Sequence, residues 1–220
     1  MVQTMLFAVP ESRWTLKLAK SIAGSLGNPS KMPGKSYGIS AALCNIGQKL
    51  ASVPGSVCFG CYAMKDNYNY PSVKIAHERR AAGLSSVSWR DAMVTLIRRS
   101  DDKFFRWHDS GDLQSFQHLL DIVAIADKLP QVNFWLPTKE KKLILQYRET
   151  FGDFPTNLVV RISGAMVDGK PLAYDGNTST VHSTVFFHGF KCRAPEQDGK
   201  CLDCRACWNK EIKNVSYEIH

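Results

Sequence analysis

The sequence has no apolar run approaching the ~18–20 residues that a membrane-spanning helix needs, so no membrane association is expected. Its first residues, MVQTMLFAVPESRW, carry no basic segment ahead of the apolar stretch, which stops at Pro10, and a secretory leader is not expected. Internal repeats and low-complexity tracts are also missing. Acidic residues are in deficit, 20 Asp and Glu against 28 Lys and Arg, a formal net charge of +8. That balance permits nucleic acid or another acidic partner. The positive charge is nevertheless scattered through KLAK, HERR, IRR and KEKK, as on solvated helix faces, and His77 in HERR reads as one such surface residue.

What is present fits one soluble domain over 1–220, with 44% hydrophobic and 22% charged residues. Residues 1–34 read as an N-terminal helix and loop, and 190–220 as a cysteine-rich terminal segment. A helix is predicted over 13–26, stopped by Gly27. SYGISAAL reads as a strand with Cys44 at its end, and 44–62 reads as a loop. Two helices follow, around SVKIAHERRAAGL and SWRDAMVTLIRRS. The remainder alternates: strand KFFRW, helix SFQHLLDIVAIADKL, strand VNFWL, helix KKLILQYRETF, strand NLVVRIS, strand STVFF and a last strand NVSYEI. Such alternation predicts an α/β fold around a mainly parallel sheet. An open doubly wound sheet and a TIM-barrel-like parallel barrel, complete or incomplete, both fit. The barrel is preferred, with the cysteine-rich segment folded over its C-terminal rim.

In such folds chemistry gathers at the C-terminal ends of the strands. Cys44 leaves the first predicted strand, and His108-Asp109-Ser110-Gly111-Asp112 leaves KFFRW. Lys139 follows VNFWL, Arg161 and Ser163 close NLVVRIS, and His188 follows STVFF. His108, Asp109, Asp112 and Lys139 are therefore candidate catalytic or pocket residues, with Ser110, Arg161 and Ser163 as candidate ligand-binding residues. The plainer reading of HDSGD is a helix start, with Asp112 or Ser115 as the cap. His188 by itself reads as structural.

Seven cysteines form two groups: Cys44, Cys58 and Cys61, then Cys192, Cys201, Cys204 and Cys207. In a reducing compartment disulfides are disfavoured, so the Cys-x-x-Cys steps point to metal. Four thiolates complete either a tetrahedral zinc site or a cubane. The continuous C-x-x-C-x-x-C step is the spacing of ferredoxin-type clusters, and zinc stays open as the alternative. Three cysteines after the first strand are partly similar to radical S-adenosylmethionine enzymes, in which three thiolates hold a cluster with one open iron. The gap of thirteen residues between Cys44 and Cys58 departs from that pattern, and no Gly-Gly-Glu-like element is evident.

The blocks CFGCYA, FRWHDSGDL, FWLPTKE and GKCLDCRACW resemble the phage gene product 88 family over most of residues 30–220. The resemblance implies a phage-encoded protein of the infected host's cytoplasm, with a TIM-barrel-like fold and a cysteine-held iron–sulfur cluster. Cysteines 58, 61, 192, 201, 204 and 207 fit the family blocks, and Cys44 less closely. The expectation is one or two [4Fe-4S] clusters, with redox or radical S-adenosylmethionine-like activity at the barrel mouth. A small-molecule or electron-transfer partner is expected with it. The alternative is a zinc- or cluster-stapled module that binds nucleic acid or a host protein. The ligands could divide three and four, or one cubane could draw on both groups.

Overall fold

A computed structural model describes residues 14–219. Residues 1–13, on which the leader question turns, lie outside it. Seven strands form one all-parallel sheet: β1 (Lys35–Tyr37), β2 (Phe104–Trp107), β3 (Asn133–Thr138), β4 (Leu158–Val167), β5 (Asn177–His182), β6 (Phe190–Lys191) and β7 (Asn214–Glu218), in the order β1-β2-β3-β4-β5-β7-β6. Helices α1 (Leu16–Ala23), α2 (Asn45–Ala51), α3 (Pro71–Gly83), α4 (Trp89–Ser100), α5 (Phe116–Lys128) and α6 (Lys141–Phe151) intervene. None of the described helices is long and apolar enough to cross a membrane.

Two-residue alternation divides the sheet into two faces. Phe105, Trp107, Phe134, Leu136, Leu158, Val160 and Ile162 point one way, into a core shared with buried residues of α1, α4, α5 and α6. Each such burial contributes about 1.5–3 kcal/mol before the entropic cost of ordering. Helices α1 and α5 start where a side chain satisfies a free N–H group: Thr15 accepts from Leu18 N, and Ser115 accepts from His118 N. Helix α1 stops at Gly24, whose φ of 76° a side chain would oppose, three residues ahead of the predicted stop at Gly27.

The other face presents Phe104, Arg106, Trp135, Arg161, Val215 and Tyr217, and the cysteine-bearing stretch between β6 and β7, residues 192–213, packs on it. Trp208 meets Trp135 and Phe104 edge-on, and its Nε1 donates to Phe105 O at 3.0 Å. These contacts are with a sheet face, and they do not show the segment folded over the C-terminal rim. The sheet is parallel, as predicted, but it does not close into a barrel. Its edges, β1 and β6, are three and two residues long, too short to carry a closing ladder, and the face a barrel would enclose is filled by the terminal segment.

Four local predictions are corrected. Of SYGISAAL only Ser36 and Tyr37 lie in a strand, and Ala41–Leu43 forms a 3-10 turn capped by Ser40. STVFF is not a strand: the chain uses NTSTVH, Asn177–His182, and leaves Val185 and Phe186 more than 80% exposed. The polar strand wins because its side chains are satisfied across the sheet. Thr178 donates to Asn214 Oδ1 (2.8 Å), Asn214 Nδ2 to Thr180 Oγ1 (2.9 Å), Thr180 to Ser216 Oγ (3.1 Å), and Ser216 Oγ pairs with His182 Nδ1 (2.8 Å). The predicted loop 44–62 contains α2. His77 is buried, stacked on Tyr68 with ring centres 6.0 Å apart.

Candidate metal centres

The first cysteine group lies at the C-terminal ends of β1–β4. Cys44 caps α2, and the Cys58-x-x-Cys61 turn is closed by Cys61 N donating to Cys58 O at 3.2 Å. The loop before that turn is pinned to the end of β4 by Val57 N donating to Ala165 O (2.8 Å) and Val167 N donating to Gly55 O (2.9 Å). Helix α2 is tied to the end of β3 by Ile46 N donating to Glu140 Oε1 at 3.1 Å. Gly47 sits between two of the thiols: a Cβ there would stand 2.8 Å from Cys44 Cβ, 3.4 Å from Cys44 Sγ and 3.7 Å from Cys58 Sγ.

Lys139 and Asp112 complete this locus. The Lys139 ammonium donates to Gly164 O at 2.6 Å. Asp112 accepts from Leu113 N (2.8 Å), Thr138 Oγ1 (2.6 Å) and Lys139 N (2.8 Å), locking the turn after β2 to the end of β3. Burial lowers the Lys139 pKa, while Cys58, Asp112, Cys61 and Cys44 favour its charged form. The Cys44 thiol is pushed up to about 12, first by burial and then by Asp112, Cys58, Cys61 and Glu140. Cys58 is also raised by burial, with Lys139 opposing. Without an ion these are protonated thiols, so metal uptake must release protons.

Replacing Gly47 by Ala is expected to push Cys44 aside and destabilise the fold by roughly 1–3 kcal/mol. In an ordinary helix the same change stabilises by up to ~1 kcal/mol. Thermal unfolding of G47A therefore reads the crowding directly, and a raised midpoint would show that the thiols have room to move.

The second group borders one small cavity on the sheet face, lined by Cys192, Cys201, Cys204 and Cys207. Cys192 N donates to Ser216 O (2.8 Å), Cys201 N to Lys31 O (2.8 Å), and Cys204 N to Cys201 O (2.8 Å), so β7, the loop at Lys31 and the set's own turn position it. Cys207 Sγ lies 3.1 Å from Tyr217 Oη. Burial pushes Cys207 up to about 12, opposed by its contact with Tyr217 and by the Arg161 and Arg106 charges. Burial also raises Cys192 and Cys201.

All seven cysteines are free thiols. Among the described residues no three His, Cys, Asp or Glu side chains are already converged on one ion position. The donor chemistry and the shared cavity fit a thiolate-held centre.

The other predicted site residues fall elsewhere. His108 is buried, with its ring edge-to-face against His118 at 5.4 Å and its Nδ1 4.0 Å from Asp112 Oδ1. The Asp109 carbonyl accepts from Tyr62 (2.9 Å) and Tyr68 (3.3 Å), and its Oδ1 lies 2.6 Å from where a Gly38 Cβ would stand. The Ser110 hydroxyl is buried, and its carbonyl accepts from Ile39 N at 3.1 Å. Ser163 pairs with Ser179 Oγ at 3.2 Å. His188 is exposed, and its carbonyl accepts from Asn214.

Arg161 lies in the middle of β4, which runs on to Val167, and it is fully buried. Its five N–H groups donate to the carbonyls of Cys207 (3.1 Å), Thr178 (3.2 Å), Ile212 (2.8 Å), Ala206 (2.9 Å) and Asn209 (2.8 Å). The sequence reading missed Gly47, Glu140, Arg106 and Tyr217. Glu140 and Arg106, inside the FWLPTKE and FRWHDSGDL blocks, and Tyr217, at an alternating position of NVSYEI, left a local signal; Gly47 left none.

The family described as Gene product 88 matches residues 12–210 of this chain. No curated protein and no solved structure matches it.

Proposed function

We propose that this chain, which belongs to the Gene product 88 family, is an iron–sulfur protein with two thiolate centres working in the cytoplasm of a phage-infected bacterium. The observation that carries the reading is the spatial partition of the seven free cysteines into a group of three and a group of four.

Charge balance supports it. A four-thiolate cluster carries net negative charge, and burying such charge demands nearby cations. Arg161 and Arg106 both act on Cys207, and Arg106 also acts on Cys201. Lys139 plays the same part for Cys44, Cys58 and Cys61. In this reading the second centre is a closed one that anchors the terminal segment. The first has three protein thiolates with Lys139 and Asp112 alongside, at the strand ends where parallel α/β folds take ligands.

A cubane on three thiolates keeps one iron open, and redox or radical chemistry with S-adenosylmethionine is the activity assigned to it. Lys139, held by Gly164 O and by the Asp112 network, sets the charge beside that position. His108 serves as a neutral packing group next to the locus, and a cluster held by Cys44, Cys58 and Cys61 would supply electron exchange with a small redox partner.

Iron, acid-labile sulfide and zinc per chain, measured on anaerobically purified protein, test this. About eight irons with matching sulfide are expected, falling to about four in Cys58→Ser and again to about four in Cys204→Ser. Zinc alone, in a colourless protein, would overturn the redox reading and leave a metal-stapled binding module.

A further inference from the structure

The surface around the Cys58–Cys61 turn is aromatic and basic. Phe59, Tyr62 and Tyr70 are 57%, 48% and 58% exposed, a large aromatic area to leave in water. Lys49, Lys65 and Lys74 are exposed in the same stretch of chain, and Asp66 is the one acidic residue between 43 and 75. The arrangement is built rather than loose. Tyr62 is held by its hydrogen bond to Asp109 O at 2.9 Å and by edge contact with Tyr68 at 5.8 Å. The Lys65 ammonium folds back over the turn, 3.2 Å from where a Gly60 Cβ would stand, between Phe59 and Tyr62 in sequence.

Protein interfaces gather aromatics but are depleted in lysine. Rings interleaved with lysines, with a single acid in the stretch from 43 to 75, are instead the composition of surfaces that stack bases and hold phosphates. Base stacking on exposed rings requires unpaired bases, which selects single strands over duplex. We propose that this face binds single-stranded nucleic acid, with bases on Phe59, Tyr62 and Tyr70 and phosphates at Lys49, Lys65 and Lys74. The inference goes beyond the metal reading and does not depend on it, because none of the six side chains is a proposed ligand.

The experiment is fluorescence anisotropy of labelled oligothymidylate and oligouridylate, about 15 nucleotides long, against the full chain at low and moderate salt. Three phosphate contacts predict a slope of log affinity on log salt near about −2. F59A and Y70A should each weaken binding about 5- to 150-fold, the range of one lost stack. F151A, which removes an exposed ring from the end of α6, should leave affinity unchanged. Iron content measured on the same preparations should not change in F59A or Y70A, so a failure of the metal reading shows in the iron assay and a failure of this one in the anisotropy. Absence of oligonucleotide binding at low salt, or equal affinity of the parent, F59A and Y70A, overturns the proposal. A host protein retained through Phe59 and Tyr70, with no oligonucleotide bound, does the same and assigns the face to a protein partner.

Discussion

Arg161→Ala is expected to detach the cysteine-rich segment from the sheet and to destabilise the protein by at least ~4 kcal/mol. Hydrogen bonds to a charged group are worth roughly 1.5–3 kcal/mol each, and this side chain makes five, to carbonyls of residues 178 and 206–212. Removing it orphans those carbonyls and opens a cavity the size of an arginine under Trp208. Some carbonyls will reach water after local opening, so the loss is smaller than five full bonds. Arg161→Lys should not rescue, because an ammonium has three donors and lacks the planar fork that reaches carbonyls on both sides. Urea unfolding reads the stability, and limited proteolysis after residue 192 reads the detachment. A loss under about 1 kcal/mol would show that Trp208 and Val215 hold the segment unaided.

The second large effect is acid sensitivity. Burial holds the His108 pKa down at about 3, with Arg106 acting in the same direction and the Pro137 carbonyl opposing too weakly to restore it. The unfolded value is near 6.5. Between about 3 and 6.5 the unfolded chain therefore binds a proton that the folded chain refuses, and stability falls as pH falls through that window. One such group costs about 1.4 kcal/mol per pH unit, and roughly 5 kcal/mol over the full range. Burial and the neighbouring His108 lower His118 as well, so the two rings add in the same direction. His108 has φ of 52°, a conformation that asparagine tolerates. H108N therefore removes the titration while keeping the backbone. The slope of unfolding free energy against pH should drop by about one proton's worth below pH 6.5, and an unchanged slope would assign the acid sensitivity to other groups.

Much of the fold was legible because its signals are local. The apolar alternation of KFFRW and VNFWL survives as β2 and β3, and Trp107, Phe134 and Trp135 are buried in the strands that carry them. Ser115 caps α5 as its position before SFQHLL suggests. The errors arose where partners are distant. STVFF is the better strand by propensity, yet NTSTVH pairs with β4 and β7 because Ser163, Asn214 and Ser216 meet its hydroxyls. Arg161 looked like a strand-end ligand because the apolar run stops at Ser163. The backbone pairing continues to Val167, which places the guanidinium mid-sheet under the terminal segment.

The sequence by itself determined the alternating parallel α/β plan, the two cysteine groups, the basic balance and the family blocks, since composition, spacing and periodicity are properties of neighbours along the chain. Only the tertiary structure decided that the sheet stays open, that the four-cysteine group lies on its face, and that Lys139 and Gly47 join the other three. It also decided that Phe59, Tyr62 and Tyr70 face water. Those outcomes depend on which residues, dozens of positions apart, compete for the same buried space and the same hydrogen-bond partners, and no local window of sequence contains that competition.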